Sequence, residues 1–244
     1  MVNNKAILKI EGITKRFGNL VAVDNVSFEI YKGEVLGLIG PNGAGKTTLF
    51  NTITGLLLAD GGKVYFKNQD ITNEKPYKIC KLGMSRTFQV TQSFISMSVE
   101  DAVRVGAYNR HDERKVEDQV NQMIEFFGLN AIRKKKCEEL GLAPLKRVEV
   151  ARAMATDPDL LLLDEAGAGL NASEMSELME MLKEINREKG TTLCIVEHVM
   201  KMVMGICQRI VVLDYGELIA SGTPEQISSN QKVIEAYLGK RAVK

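Results

Sequence analysis

The sequence lacks the features that mark several common classes of protein. Its 32 lysines and arginines balance 31 aspartates and glutamates, for a formal net charge of +1, so neither a nucleic-acid-binding surface nor an acidic tail is indicated. The four cysteines form no C-x-x-C pair and no metal-site spacing, which favours reduced thiols in a cytosolic protein. No apolar run approaches the ~18 residues of a membrane-spanning helix, and residues 1–20 contain no signal-peptide core. We therefore expect a soluble protein.

The most informative segment that is present is the glycine-rich run at residues 40–48, G-P-N-G-A-G-K-T-T, called the phosphate loop below. It fits the pattern G-x-x-x-x-G-K-[ST], in which backbone N–H groups and the positive end of the following helix hold phosphate oxygens. A strand-like apolar run at 34–39 precedes it and a helical pattern follows, as the motif requires. Because glycine makes up roughly 7% of residues, a chance match is expected in well under ~1% of such chains. The sequence predicts a nucleotide-binding protein.

The rest of the chain predicts an α/β fold. An antiparallel patch is expected at residues 6–10, 26–30 and 62–66. Helices are expected at 99–108, 116–127 and 145–155, followed by buried strands at 160–164, 191–196 and 209–213 around a helix at 172–189. We predict a core made of residues 1–91 and 156–244, with a mixed sheet and an antiparallel β patch, and an inserted helical subdomain at residues 92–155.

Three polar side chains follow predicted buried strands, where open α/β sheets bind their ligands. Asp164 and Glu165 follow the apolar run 160–163, and are suited to hold Mg²⁺ through water and to orient or deprotonate an attacking water, respectively. Alone, the pair would equally suit an ordinary strand end with acidic residues starting a helix. His198 could reach a γ-phosphate, although a lone histidine is more often structural. The phosphate loop upstream favours the catalytic interpretation of the carboxylates.

The order of these motifs resembles the ATP-binding subunits of ABC transporters over nearly the whole chain. The matching segments are the phosphate loop from residue 42, R-T-F-Q at 86–89, L-L-L-L-D-E at 160–165 and E-H at 197–198. The resemblance implies a P-loop NTPase fold of ABC type in a single domain, residues 1–244. It also implies ATP and Mg²⁺ as cofactors, and an ATP hydrolase coupled to transport.

The resemblance further implies roles for individual residues. The catalytic residues would be Lys46, Glu165 and His198. The Mg²⁺ ligands would be Thr47, Gln89 and Asp164, and Gln89 would also sense a transmembrane partner. The nucleotide-binding residues would be Phe17, Asn42, Gly43, Ala44, Gly45, Lys46, Thr47 and Thr48. Phe17 would stack on adenine, and the alternative for it is a core aromatic.

Three segments are similar to the ATPases of branched-chain amino-acid importers: T-G-L-L at 54–57, R-T-F-Q at 86–89 and V-I-E-A-Y-L-G at 233–239. The ATPases of lipopolysaccharide-export and urea-uptake systems are close in sequence, so the transported solute stays open. The resemblance implies a peripheral protein on the cytoplasmic face of the inner or plasma membrane. Its partners would be transmembrane permease subunits and a second ABC ATPase subunit.

The chain departs from the family where the signature L-S-G-G-Q is usual. Residues 140–144, called the altered segment below, read L-G-L-A-P. Gly141 lacks the serine hydroxyl, Leu142 and Ala143 add side chains where a backbone should approach closely, and Pro144 lacks an N–H group. Losing one such donor commonly costs ~10²-fold or more in rate. We expect the nucleotide site that faces this segment to be slow.

Smaller departures accompany the altered segment. Ala166 stands where proline is usual, and Asn171 and Ala172 replace aspartate and proline in the loop that crosses the family's dimer. These observations lead to the hypothesis of a heterodimer, with one active and one weak site, in which a partner's normal signature closes the intact phosphate loop. A homodimer, a non-transport regulatory ATPase and the ATPase of a lipid or glycolipid exporter remain alternatives.

Overall fold

The computed structural model describes residues 5–87, 94, 96–109 and 112–238. The chain divides into two compact units, one formed by residues 1–79 and 192–244 and the other by residues 80–191. The elements of the first half of the chain, in order, are β1 (Ala6–Phe17), β2 (Leu20–Tyr31), β3 (Val35–Ile39), α1 (Lys46–Ile53), β4 (Gly61–Phe66), β5 (Gln69–Asp70), α2 (Pro76–Leu82), β6 (Met84–Arg86), α3 (Val99–Ala107) and α4 (Glu113–Phe126).

The second half of the chain continues the alternation of helices and strands. After short 3₁₀ turns at Asn130–Ile132 and Cys137–Glu139, its elements are α5 (Leu142–Met154), β7 (Leu160–Asp164), α6 (Ala172–Lys189), β8 (Thr192–Val196), α7 (Met200–Ile206), β9 (Arg209–Asp214), β10 (Glu217–Gly222), α8 (Pro224–Ser228) and α9 (Gln231–Leu238). Among the residues that the structure describes, no helix combines the length and the apolar character needed to cross a membrane.

The first unit contains both kinds of predicted β structure. An antiparallel sheet has the strand order β2-β1-β4-β5, which confirms the predicted antiparallel patch. Strand β3 lies between β8 and β9 and is parallel to both, and β10 pairs with β9 in the antiparallel sense. All residues of β3 and β8 are buried, as expected for parallel strands covered on both faces. The unit thus carries an α/β core beside an antiparallel patch.

A half-buried ion pair joins the residue before β3 to the first residue of β9. The Arg209 guanidinium donates from Nε to Glu34 Oε1 at 2.7 Å and from Nη2 to Glu34 Oε2 at 3.0 Å. Nη2 also donates to the carbonyl oxygen of Glu29 at 2.6 Å. Such a bidentate pair adds geometric specificity as well as energy, so it fixes the start of the strand that leads into the phosphate loop.

The second unit contains the parallel pair β6–β7 and the helices α3 to α6. The helices lie where helical periodicity predicts them, except that α4 and α5 each begin three residues early, at Glu113 instead of residue 116 and at Leu142 instead of residue 145. The altered segment therefore includes the first turn of a helix. The predicted subdomain, residues 92–155, falls within this unit and stays a prediction.

The four cysteines all lie in the described residues and form no disulfide, and three of them are buried. Burial raises the pKa of the Cys207 thiol to about 12, so this thiol stays protonated at neutral pH. Its sulfur packs against β3, where a Cβ atom added to Gly37 would lie 3.0 Å from it. This packing gives the buried Cys207 side chain a structural role.

Candidate functional site: the phosphate loop and the strand-end carboxylates

The phosphate loop connects β3 to α1 through a backbone that requires glycine. Gly40, Gly43 and Gly45 have φ angles of 155°, 81° and 97°, which residues with a Cβ atom rarely adopt. Added Cβ atoms would collide with the carbonyl oxygen of Leu213 at Gly40 and with that of Ala22 at Gly45. The pattern of glycines recognised in the sequence is therefore a steric requirement of this turn.

Lys46 and Thr47, within the phosphate loop, are the first two residues of α1. The Lys46 ammonium donates to the carbonyl oxygens of Gly40 at 2.7 Å and Pro41 at 2.9 Å, and the residue is 8% exposed. Thr47 is exposed and Thr48 is half-buried. The first turn of α1 contains no acidic residue, so no side-chain carboxylate there offsets the positive end of the helix. The lysine side chain thus folds back over the loop, and the Thr47 residue is exposed.

These groups fit a polyphosphate and its Mg²⁺ ion. Anions bind where N–H groups at a helix N-terminus and a fixed cation converge. A threonine hydroxyl such as that of Thr47 is an oxygen ligand of the kind Mg²⁺ prefers, and this ion usually takes its other ligands from carboxylates, phosphate and water. The residues that the structure describes contain no cluster of three or more His, Cys, Asp or Glu side chains suited to hold a metal.

Asp164 ends β7 as a buried carboxylate with a cationic partner. Its side chain is 1% exposed, and Arg86 Nη2 donates to its Oδ2 at 2.6 Å. The Asp164 N–H group donates to Thr87 Oγ1 at 3.3 Å. Sequence reasoning placed Arg86 only inside the R-T-F-Q motif and missed this pair. The available signal was that both residues end strands, but the three-residue β6 offered no pattern that would reveal it.

Glu165 follows with an unusual backbone. Its φ of 49° places a glutamate in the left-handed region, a conformation that costs on the order of 1–3 kcal/mol and clusters at functional sites. Its carbonyl oxygen accepts from the N–H group of Ala168 at 3.1 Å and lies 3.5 Å from Lys146 Nζ. The strain marks Glu165 as a position held by its surroundings, as the predicted catalytic role would require.

His198 lies at the same sheet edge as the phosphate loop. Leu38 of β3 pairs with Val196 of β8 in the parallel register. Gly40 and His198 each follow two residues after their member of this pair. His198 is exposed, and the intervening Glu197 is fully buried. The structure thus brings the predicted histidine and the phosphate loop to one edge of one sheet.

Phe17 and Gln89 were predicted to contact the nucleotide and its Mg²⁺, and both contacts stay predictions. Phe17 ends β1 and is 47% exposed, with Lys15 Nζ 5.5 Å from the centre of its ring, so the alternative of a core aromatic does not hold. Its stacking on adenine stays a prediction. Gln89, predicted as a Mg²⁺ ligand and partner sensor, lies outside the described residues.

The altered segment forms the N-terminal end of α5. Gly141 is the N-cap and provides no side-chain cap, and helical residues begin at Leu142, which is 43% exposed. A Cβ atom added to Gly169 would lie 2.8 Å from Leu142 Cδ2, so this leucine covers the loop after Glu165. Pro144 occupies the first helical turn, where its missing N–H group is tolerated.

Asn171 has a role within this chain that the comparison with the family's usual aspartate did not indicate. Its Oδ1 accepts from the N–H groups of Ser173 and Glu174 at 2.9 and 3.1 Å, and Glu174 Oε2 accepts from the Asn171 N–H group at 2.9 Å. This reciprocal arrangement is a capping box. Asn171 therefore begins α6, whatever it contributes beyond this chain.

Here a buried parallel strand is followed by a glycine-rich turn, and a lysine and a threonine then start a helix. This arrangement defines a P-loop nucleotide-binding protein. The sequence profile described as "ABC transporter" matches residues 23–168, and one described as "Branched-chain amino acid ATP-binding cassette transporter" matches residues 217–243. The chain belongs to the ABC transporter family of ATP-binding proteins, for which ATP hydrolysis coupled to transport is the expected activity.

Relatives of known name match the chain over nearly its whole length. It is 38% identical to the high-affinity branched-chain amino acid transport ATP-binding protein LivG of Escherichia coli K12, covering 97% of this chain and 99% of the relative. It is 35% identical to BraF of Pseudomonas aeruginosa, which carries the same description, with the same coverage. A probable LivG of Methanocaldococcus jannaschii is 35% identical, covering 98% of this chain and 100% of the relative.

Solved structures agree with this assignment. A nucleotide-free ATP-binding cassette from an ABC transporter superposes with a TM-score of 0.89 at 34% identity, covering 97% of this chain and 100% of that chain. An ADP conformation of an ATP-binding cassette of an ABC transporter gives the same TM-score, identity and coverage. The predicted fold class and family resemblance are confirmed.

Proposed function

We propose that this chain is the ATP-hydrolysing subunit of an importer of branched-chain amino acids or a related small solute. It acts as a peripheral subunit on the cytoplasmic face of the inner or plasma membrane, bound to transmembrane permease subunits. The observation that carries this proposal is that the similarity to LivG and BraF covers nearly the whole chain. The match at residues 217–243 to the branched-chain profile supports it independently of the nucleotide core.

The described side chains suit separate tasks in phosphoryl transfer to water. Lys46 and the N–H groups of the phosphate loop bind and orient the phosphates and stabilise their negative charge. Glu165 positions the attacking water and accepts its proton, and His198 responds to the γ-phosphate. Thr47 and Asp164 would hold Mg²⁺ together with Gln89, which lies outside the described residues, and the bound ion would neutralise charge on the phosphate oxygens. Closure of two such subunits would move helices of the permease.

The second ATPase subunit is a different chain, and the partner's consensus signature closes this chain's phosphate loop. The support is the contrast between a complete set of phosphate-loop residues and an altered segment without a serine hydroxyl. The helix end at Gly141 keeps its dipole and remaining N–H groups, so the site that faces it binds nucleotide and turns over slowly.

The experiment that tests the proposal is reconstitution with permease and partner ATPase in liposomes. Uptake of radiolabelled leucine should require ATP inside the vesicle and be competed by isoleucine and valine. Uptake that unrelated solutes compete equally well would reject the substrate class. ATP-driven release of a lipid or glycolipid would favour the exporter alternative.

A second function, nucleotide-dependent regulation without transport, is favoured by the altered segment alone. A pull-down from detergent-solubilised membranes separates the two. Recovery with integral membrane proteins supports transport, whereas recovery only with cytosolic complexes supports regulation.

A further inference from the structure

Arg86 is placed by the sheet register to reach the predicted metal-binding carboxylate. Strands β6 and β7 are parallel, with Arg86 opposite Leu162, and the Thr87 N–H group donates to the Leu162 carbonyl oxygen at 2.9 Å. Parallel strands end at the same edge, so the arginine that ends β6 meets Asp164, two residues beyond Leu162. The pair joins positions 78 residues apart in the chain.

The contact is short and almost completely removed from solvent. Arg86 Nη2 lies 2.6 Å from Asp164 Oδ2, and the two side chains are 6% and 1% exposed. Hydrogen bonds between ionised groups are the strong ones, and a low local dielectric strengthens them further. The guanidinium therefore offsets the negative charge of Asp164 when no other cation is present.

We propose that Arg86 prevents Asp164 from holding a divalent cation without nucleotide, so that Mg²⁺ binds this chain only together with nucleotide phosphates. This inference rests on the proposed function, which assigns Asp164 to the metal. Arg86 acts here as a positioning residue that selects when the metal binds.

The physical basis is the repulsion between two cations that share one carboxylate. A divalent ion held by Asp164 would share that carboxylate with the Arg86 guanidinium, and like charges repel strongly where the side chains are buried. Bound phosphates add the negative charge that reverses this balance, so the metal and the nucleotide strengthen each other's binding reciprocally.

The test is Mn²⁺ binding to the purified full chain without nucleotide, measured from the electron paramagnetic resonance signal of free Mn²⁺. Arg86→Gln should bind Mn²⁺ at least about tenfold more tightly than the wild type, because the repelling charge is gone. In Arg86→Gln/Asp164→Asn the affinity should fall back to the wild-type level. The control variant is Arg209→Gln, which likewise removes the arginine partner of a buried carboxylate, that of Glu34. It should bind Mn²⁺ as the wild type does.

Equal or weaker Mn²⁺ binding by Arg86→Gln would overturn the proposal. If this variant does not fold, Arg86→Lys takes its place in the test. Because the lysine side chain reaches less far toward Asp164, this variant should bind Mn²⁺ more tightly than the wild type. An unchanged Mn²⁺ affinity would overturn the proposal. ADP binding by the wild type with Mn²⁺, measured in parallel, separates the two claims. No ADP binding would reject the proposed function, whereas ADP binding without the Arg86→Gln effect would reject only the inference about Arg86.

Discussion

The phosphate loop and the altered segment both place a glycine before a helix, but for different physical reasons. At Gly45 the φ angle is 97° and a Cβ atom would collide with the Ala22 carbonyl oxygen. At Gly141 the φ angle is −68° and an added Cβ atom would meet nothing within 4 Å. Packing requires the first glycine and merely permits the second. The fold of this chain therefore requires glycine in the phosphate-binding turn and does not require it at residue 141.

The largest expected effect comes from removing the catalytic carboxylate that acts with the intact phosphate loop. Glu165→Gln should bind ATP normally but lose about 10²- to 10⁴-fold in hydrolysis, because an amide cannot accept the proton of the attacking water. Single-turnover hydrolysis in the assembled transporter measures the loss, and Glu177→Gln on the exposed face of α6 is the matched control. Undiminished turnover by Glu165→Gln would remove this residue from the catalytic role.

Paired glycine substitutions test the contrast directly. Gly45→Ala should weaken ADP binding by about 30-fold or more, since the strained φ and the backbone collision cost upwards of about 2 kcal/mol. Gly141→Ala should leave ADP binding unchanged. Titration of a fluorescent ADP analogue compares the two variants with the wild type. Equal losses in both would show that the glycine of the altered segment is also required by the fold.

A smaller effect is expected at Asn171. Asn171→Ala should lower the free energy of unfolding by about 1 kcal/mol through loss of the N-cap of α6, whereas Asn171→Asp should retain the cap. Urea unfolding of the three proteins measures this. Since the aspartate variant also restores the usual residue of the family, a stability equal to that of the wild type would separate capping from any effect on the dimer. A destabilised aspartate variant would contradict the capping assignment.

The sequence was sufficient to predict the parts of the fold that depend on local patterns. The phosphate loop combines a strand, fixed glycines and a helix start within fifteen residues or so, and β3, β7 and β8 are short apolar runs typical of buried parallel strands. The periodicity of α5 was also predicted from the sequence, but its start at Leu142 was not. A proline in the first turn of a helix does not indicate how many helical residues precede it.

The contacts between distant residues could not be predicted from one sequence. The pair of Arg86 with Asp164 depends on the register of a three-residue strand, and the pair of Arg209 with Glu34 joins residues 175 apart. The left-handed backbone of Glu165 has no local signal, because glutamate is not a residue type that favours this conformation. These features come from tertiary packing, which overrides local preference at strained sites.

The central claim, that the altered segment makes this chain half of a shared site, is tested most directly by repairing that segment. The variant Gly141→Ser/Leu142→Gly/Ala143→Gly/Pro144→Gln restores the usual signature, and its ATP turnover is compared with that of the wild-type chain, each purified alone at concentrations that allow dimers. The account predicts slow turnover by the wild type and a rise of about 10²-fold in the repaired chain, the scale expected for restored phosphate donors. Full turnover by the wild-type chain alone, with no gain on repair, would contradict it.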